Sequence, residues 1–260
     1  MGTGQKHTAW LGLAVGLLGS VLEVAAANPE MDRPEFGAPV VKASRTASFR
    51  QIYIEQLPVK FRDSVRGVLE KPTLTVNGPV EVFRGQPEFY HRLLDHPDQG
   101  VLMWRKLGAK CMDITDLGHG RFAWTDGQGT EIQWETVFQN DDQRIWYAVG
   151  SSRAPFSFGK IPARAVVVLR HSVASDRSGK PVIQQQAELY LQFDSKAVTF
   201  LCRMLGISAV RAAEHGLSQM QLFYSALVWY SDRHPELAEA VVEKPSPVIF
   251  DPLPPNRVRR

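Results

Sequence analysis

Apolar and polar residues alternate along residues 186–193, where Ala187, Leu189 and Leu191 are separated by more polar side chains. A repeat of two residues is typical of an antiparallel strand that has one face in a core. From Ser208 the pattern changes, because apolar residues recur mostly at helical spacing as far as Trp229. That spacing predicts a long helix with a broad apolar stripe, which we expect to pack on the strand.

Shorter patterned segments precede this strand. Apolar residues at helical spacing predict a helix over 61–69. Residues 73–76 and 80–83 alternate like strands, and Asn77-Gly78 between them is the dipeptide that best supports a tight type I′ turn. We therefore expect a hairpin at this point of the chain.

Turn residues divide the middle of the chain into short segments. After the hairpin, helical spacing predicts two short helices over 88–94 and 101–107. Short apolar stretches then alternate with turn residues, which is typical of an antiparallel meander. The predicted strands cover 111–116, 121–125, 131–138, 144–149 and 163–170, with a loop over 150–160. The expected fold class is α+β: a curved antiparallel β-sheet gripping a long C-terminal α-helix, with two short helices after the first hairpin.

The two ends of the chain differ in composition from the middle. Residues 1–27 combine a weakly positive start, an apolar run and three closing alanines, which predicts a secretory signal peptide cleaved near Ala27. The apolar run is short for a membrane-spanning helix, and an uncleaved anchor is the alternative. Residues 28–50 read as a flexible lead-in, 51–243 as the domain and 244–260 as a proline-rich tail. We therefore expect an exported protein, either periplasmic or secreted.

Charge and cysteine content narrow the function classes. The formal net charge is +3, and 22% of the 260 residues are charged. This positive excess is mild, and the body of the chain has no strongly basic patch with interleaved aromatic residues. We therefore predict no nucleic-acid partner. Export would permit one disulfide between Cys111 and Cys202. The apolar surroundings of Cys202 favour a buried free thiol instead.

No motif for catalysis or metal binding stands out. The 7 histidines lack metal-ligand spacing, and neither a glycine-rich phosphate loop nor a nucleophile elbow is present. We therefore predict no metal and no cofactor, and the catalytic residues are unknown. Asp113, Asp116 and His119 fall close together along the chain, but turn residues that face water are the simpler interpretation.

Aromatic residues concentrate on the predicted strands and on the long helix. Core packing explains such residues. The alternative is that they line a cavity between sheet and helix, with a few polar groups that orient a ligand. Arg164 and Glu188, on adjacent strands, are then a hypothetical polar pair at its floor, or else a cross-strand pair on the surface. The candidate ligand-binding residues are Trp124, Trp134, Trp146, Arg164, Tyr190, Phe223 and Tyr224.

This order of elements resembles the helix-grip fold of the START-like lipid-transfer and polyketide-cyclase superfamily. The resemblance covers residues 74–233 and is one of architecture: a helix pair over 87–108, a sheet over 111–193 and a long helix over 208–229. It implies a deep apolar cavity under the long helix that holds a lipid, a sterol or another hydrophobic molecule. The superfamily has no universal catalytic residue, so none is transferred to this chain.

Three functions remain as alternatives. The first is an exported protein that binds or carries a hydrophobic small molecule, with peripheral contact with a membrane as a further expectation. The second is an enzyme of cyclase, dehydratase or hydrolase type that uses a carboxylate or a histidine in the same cavity. The third is an interaction module of the cell envelope in which side chains fill the core and an exposed apolar patch or the proline-rich tail binds a partner.

Overall fold

A computed structural model describes residues 52, 54–153, 160–194 and 207–234 of the chain. After a short 3-10 turn at Ile54–Gln56, the elements are α1 (Val59–Glu70), β1 (Leu74–Asn77), β2 (Glu81–Arg84), α2 (Pro87–Asp95), α3 (Pro97–Lys106), β3 (Ile114–Gly118), β4 (Arg121–Thr125), β5 (Glu131–Gln139), β6 (Gln143–Arg153), β7 (Lys160–Ser175), β8 (Pro181–Phe193) and α4 (Ile207–Arg233). The predicted signal peptide, lead-in and proline-rich tail lie outside the described residues.

The strands form one antiparallel sheet in the order β1–β8–β7–β6–β5–β4–β3, and β2 also pairs with β8. From β3 to β8, neighbours in sequence are neighbours in the sheet, which confirms the predicted meander. Asp126 fixes the turn between β4 and β5, because its Oδ1 accepts three backbone N–H groups at 2.7, 3.0 and 2.9 Å. The predicted α+β class, with a long helix after the sheet, is confirmed.

The predicted hairpin at Asn77-Gly78 is wrong. β1 and β2 pair with successive halves of β8 and not with each other. Gly78 lacks the positive φ of a type I′ turn, and its N–H donates to the carbonyl of Ala187 at 2.8 Å, so the ladder continues past it. A Cβ at Gly78 would lie 1.8 Å from Oε1 of Gln221 on α4. Glycine therefore allows the long helix to approach the sheet edge here.

The main core lies on the inner face of the sheet, which we define as the face covered by α2, α3 and α4. α4 packs over β1, β2 and β8, while α2 and α3 lie against α4. Strand residues such as Val167 and Leu189 meet helix residues such as Leu217 and Leu227 in this core. Among the described helices, none is long and apolar enough to cross a membrane.

The opposite, outer face carries a smaller core under α1. Val65 and Val68 of α1 pack with Val166 and Val168 of β7, and all four are 0% exposed. The side chain of Gln192 joins helix and sheet, because its Nε2 donates to two backbone carbonyls near the end of α1, at 3.1 and 2.9 Å. Both faces of β7 and β8 are therefore covered, each by a different helix.

The sequence permits a disulfide between Cys111 and Cys202. Cys202 lies outside the described residues, so this disulfide stays a prediction. Cys111 is a buried free thiol. Burial raises the pKa of this thiol, which keeps it protonated and unreactive at neutral pH.

Candidate functional site

Three of the predicted site residues are tryptophans, and all three lie on the inner face. The register places Trp124, Trp134 and Trp146 in phase with inner-core residues of the neighbouring strands. Trp124 and Trp146 are buried, at 4% and 5% exposed. Trp134 keeps part of its surface accessible and stacks on Phe122, with ring centroids 5.6 Å apart.

Phe223 and Tyr224 reach the same core from α4. Both are buried, and their rings meet at 89° with centroids 5.1 Å apart. Phe223 packs tightly against α3, since a Cβ at Gly100 would lie 2.8 Å from its ring. The structure therefore brings five of the seven candidate residues together on one side of the sheet.

The other two candidates, Arg164 and Tyr190, lie on the outer face. Arg164 is opposite Gln192, and Tyr190 is opposite Val166, in the register of β7 and β8. Val166 belongs to the outer core, which α1 covers. Arg164 and Tyr190 thus cannot line a space between the sheet and the long helix.

The hypothetical pair of Arg164 with Glu188 is wrong as well. Arg164 forms an ion pair with Asp194, while Glu188 is held by Arg170 at 2.8 Å. The hydroxyl of Tyr190 also donates to Glu188, at 3.1 Å. The two residues lie on adjacent strands as expected, but the register separates them by four positions along the pair.

Several apolar side chains on the inner side are only partly buried, although helices cover that face. They border the inner core at the end of α3, on α4 and in the middle of β5 and β6. Ala148 is the clearest case, because it lies on a central strand and yet keeps accessible surface. We use the name inner groove for six of these residues: Trp104, Leu107, Trp134, Ala148, Val210 and Met220.

A buried polar network lies at the far end of the inner face from Trp124, near the start of β8. The hydroxyl of Tyr90 donates to Oε1 of Gln185 at 2.8 Å. Nε2 of Gln185 donates to Glu81 at 2.7 Å and to the backbone carbonyl of Gln221 at 3.0 Å. Burial raises the pKa of Glu81, and hydrogen bonds from Gln185 and Ser225 oppose that shift. The network joins α2, β2, β8 and α4.

Arg144 places a guanidinium beside this network. It lies on β6 in phase with Trp146 and Ala148, and its side chain is 7% exposed. Nη2 donates to Oδ1 of Asp95 at 2.6 Å. Nη1 is buried, and it has no hydrogen-bond partner in the described part of the chain. The inner face therefore holds a buried cation with a donor group left over.

His91 and His171 form a second polar contact near Arg144. Their Nε2 atoms are 3.2 Å apart, so one ring donates to the other. Burial, followed by the proximity of His91 and Arg144, lowers the pKa of His171 from 6.5 to about 4. His171 is therefore uncharged at neutral pH.

Three further polar residues meet at the start of α3. Ligand atoms of His96, Asp98 and Asp116 lie within 4.8 Å of one another. Burial and the charge of Asp116 raise the pKa of Asp98. Asp113, which the sequence places near Asp116, instead pairs with Arg105 at 2.5 Å. Oxygen and imidazole ligands at this spacing suit a divalent cation, but exposed acidic groups also cluster without one, and we assign no ion.

Sequence reasoning missed Arg144, Asp95 and His171. A signal for Arg144 was available, because it is two residues from Trp146 on the same strand and thus on the same face. Asp95 and His171 carried no comparable signal. Asp95 lies on α2 and His171 on β7, and both come near Arg144 only in the tertiary structure, which no local pattern shows.

Comparisons with known proteins place the chain among distant structural neighbours. No family model matches the chain, and no curated protein matches it. A conserved protein from Geobacillus kaustophilus is 13% identical, covering 65% of this chain and 96% of that chain at a TM-score of 0.35. A hypothetical protein from Helicobacter pylori is 11% identical, and the match covers 60% of this chain and 89% of that chain at a TM-score of 0.36. A START superfamily protein from Mycobacterium smegmatis is 12% identical, and the match covers 56% of this chain and 98% of that chain at a TM-score of 0.27.

These TM-scores and identities assign neither a ligand nor an activity to this chain. Its own architecture is more informative: one antiparallel sheet, two short helices after the first strands, and a long helix across the inner face. The chain has a helix-grip fold. In this helix-grip domain the inner groove and Arg144 lie on the gripped side of the sheet, while Arg164 and Tyr190 lie on the other.

Proposed function

We propose that this helix-grip protein binds or carries a hydrophobic small molecule in the inner groove. The observation that carries the proposal is the pair of Trp134 and Ala148. They are direct cross-strand neighbours on the inner face, they pack against the inner core, and both keep accessible apolar surface. Trp146, two residues from Ala148 on the same face, is buried. A fully packed interior would bury all three alike.

The rest of the groove has the composition of a ligand site. Its other members are apolar side chains of the α3 end and of α4, which suit a hydrophobic ligand. Each Å² of apolar ligand surface removed from water contributes roughly 25 cal/mol to binding.

Binding of an uncharged, polarity-sensitive dye such as N-phenylnaphthylamine tests the proposal. The full chain is expected to bind the dye saturably. Ala148→Trp fills the groove and is expected to weaken binding by at least about tenfold. Val149→Trp is the matched control, because Val149 is the next residue on β6 but is 43% exposed on the outer face. No saturable binding by the natural protein, or equal binding by both variants, would contradict the proposal.

The contact of His91 with His171 favours a second candidate, an enzyme that uses the same groove. Either ring can form a hydrogen bond with a polar group of a bound molecule, although a pKa of about 4 makes His171 a weak proton acceptor at neutral pH. The test is to recover the ligand after incubation with the natural protein and with His171→Gln. A mass change that requires His171 supports the enzyme, and an unchanged ligand in both samples supports the carrier.

We also propose that the protein is exported and that its signal peptide is removed near Ala27. The support is the composition of residues 1–27 alone. N-terminal sequencing of the protein from its own host is expected to find a chain that starts near Asn28. A chain that keeps Met1 would contradict removal of the signal peptide, and recovery of the protein from the cytoplasmic fraction alone would contradict export.

A further inference from the structure

We propose that the ligand of the inner groove carries an oxyanion head group, a carboxylate or a phosphate, that binds to Arg144. The inference rests on the proposed function, because it assigns the polar end of the same ligand. Arg144 holds the head group beneath α2, and the apolar body lies along Trp146 towards Ala148 and the groove.

The register supports one ligand that reaches both ends. Arg144, Trp146 and Ala148 are alternate residues of β6 and share the inner face. A strand rises by about 3.3 Å per residue, so Arg144 and Ala148 lie about 13 Å apart. A molecule that touches both needs a polar end and an apolar body of about that length, which describes an amphipathic chain.

The donor count at Arg144 points to an acceptor from outside the chain. A guanidinium offers five N–H donors. Nη2 of Arg144 donates to Oδ1 of Asp95 at 2.6 Å, but Nη1 of Arg144 is buried without a partner among the described residues. Buried charged donors are seldom left unpaired, because removing them from water is costly. An oxyanion supplies a charged acceptor, which forms shorter and stronger hydrogen bonds than a neutral one.

Several titratable groups lie near Arg144. Asp95 is 44% exposed, so water screens much of its negative charge. His171 is uncharged at neutral pH, because its pKa is about 4. The phenols of Tyr90 and Tyr224 stay protonated, because burial raises the pKa of both. Glu81, Asp141 and Asp142 also act on this part of the inner face, so the assignment of an oxyanion rests on Nη1 of Arg144, which is unpaired among the described residues, and not on the net charge of its surroundings.

The competing explanation is that Arg144 only fastens α2 to the sheet through Asp95. Arg170 offers a matched control for that role. It forms an ion pair with Glu188 at 2.8 Å, is likewise mostly buried, and lies on the outer face. Replacing either arginine removes an ion pair, but Arg144 lies on the inner face and Arg170 does not.

The experiment measures displacement of the uncharged dye by dodecanoate, dodecyl phosphate and dodecanol. The full chain is compared with Arg144→Met and Arg170→Met. The natural protein is expected to bind one or both oxyanions about 10- to 100-fold more tightly than dodecanol. Arg144→Met is expected to lose that preference and to keep its affinity for dodecanol, while Arg170→Met behaves as the natural protein. The ratio between the two oxyanions identifies the head group.

Two results would overturn the inference while leaving the proposed function intact. One is equal binding of all three compounds by the natural protein, and the other is a preference for oxyanions that survives Arg144→Met. Failure to bind either the dye or dodecanol would contradict the proposed function itself. If Arg144→Met does not fold, Arg144→Lys and Arg144→Gln carry the test: the lysine keeps the charge and part of the preference, and the glutamine loses it.

Discussion

His171 is expected to make this protein lose stability in mild acid. The pKa of His171 is about 4 in the folded chain, against 6.5 in the unfolded one, because burial and the nearby Arg144 and His91 disfavour the charged ring. Between these two pH values the His171 ring is protonated in the unfolded state and mostly neutral in the folded state. The contribution of the neutral His171 ring to the unfolding free energy is fully present above pH 6.5 and is lost as the pH falls towards 4.

The two pKa values give the size of the effect. About 2 kcal/mol of unfolding free energy is lost at pH 5, and about 3 kcal/mol below pH 4. Urea unfolding at pH 8 and at pH 5 measures the loss in the natural protein, in His171→Gln and in His215→Gln. His215 is the control, because it is exposed on α4. The same pH dependence in all three proteins would refute the reasoning.

Three further predictions concern packing and hydrogen bonds, and urea unfolding measures each of them. Gly78→Ala is expected to lower the unfolding free energy by about 2 kcal/mol, because the new Cβ displaces Gln221. Gly67→Ala, with nothing within 4 Å of its Cβ, is expected to raise the unfolding free energy by about 0.5–1 kcal/mol; equal effects at the two sites would contradict this contrast. Asp126→Ala is expected to cost about 1–2 kcal/mol, because three backbone N–H groups lose their acceptor; no loss relative to Asp126→Asn, which keeps an acceptor, would refute it. Tyr90→Phe is expected to cost about 1–2 kcal/mol, because it leaves a buried amide oxygen unpaired; an unchanged stability would show that the hydrogen bond contributes nothing.

The regular elements of the fold could be predicted from the sequence because each buries a stripe or a face. The alternation over 186–193 became β8 (Pro181–Phe193), and the helical spacing over 208–229 became α4 (Ile207–Arg233). Both elements extend beyond the predicted bounds, since periodicity weakens at their ends. The Asn77-Gly78 hairpin failed because the same dipeptide can serve a turn or a close helix contact, and only the tertiary structure distinguishes them.

The site could be predicted only in part, because alternation shows which residues share a face and not which face meets the long helix. On β7 and β8 both faces are buried, one under α1 and one under the other helices. Arg164 and Tyr190 were therefore placed on the wrong side. The tryptophans of β4 to β6 lie on the inner face of the sheet, and their role in ligand binding stays a prediction.

Native mass spectrometry of the protein purified from its own host, followed by organic extraction, tests the central claim most directly. The account predicts a bound mass above that of the polypeptide, and the release of a compound with an apolar body and an oxyanion group. The bare polypeptide mass, together with no saturable binding of the uncharged dye, would contradict the claim that the inner groove holds a hydrophobic ligand.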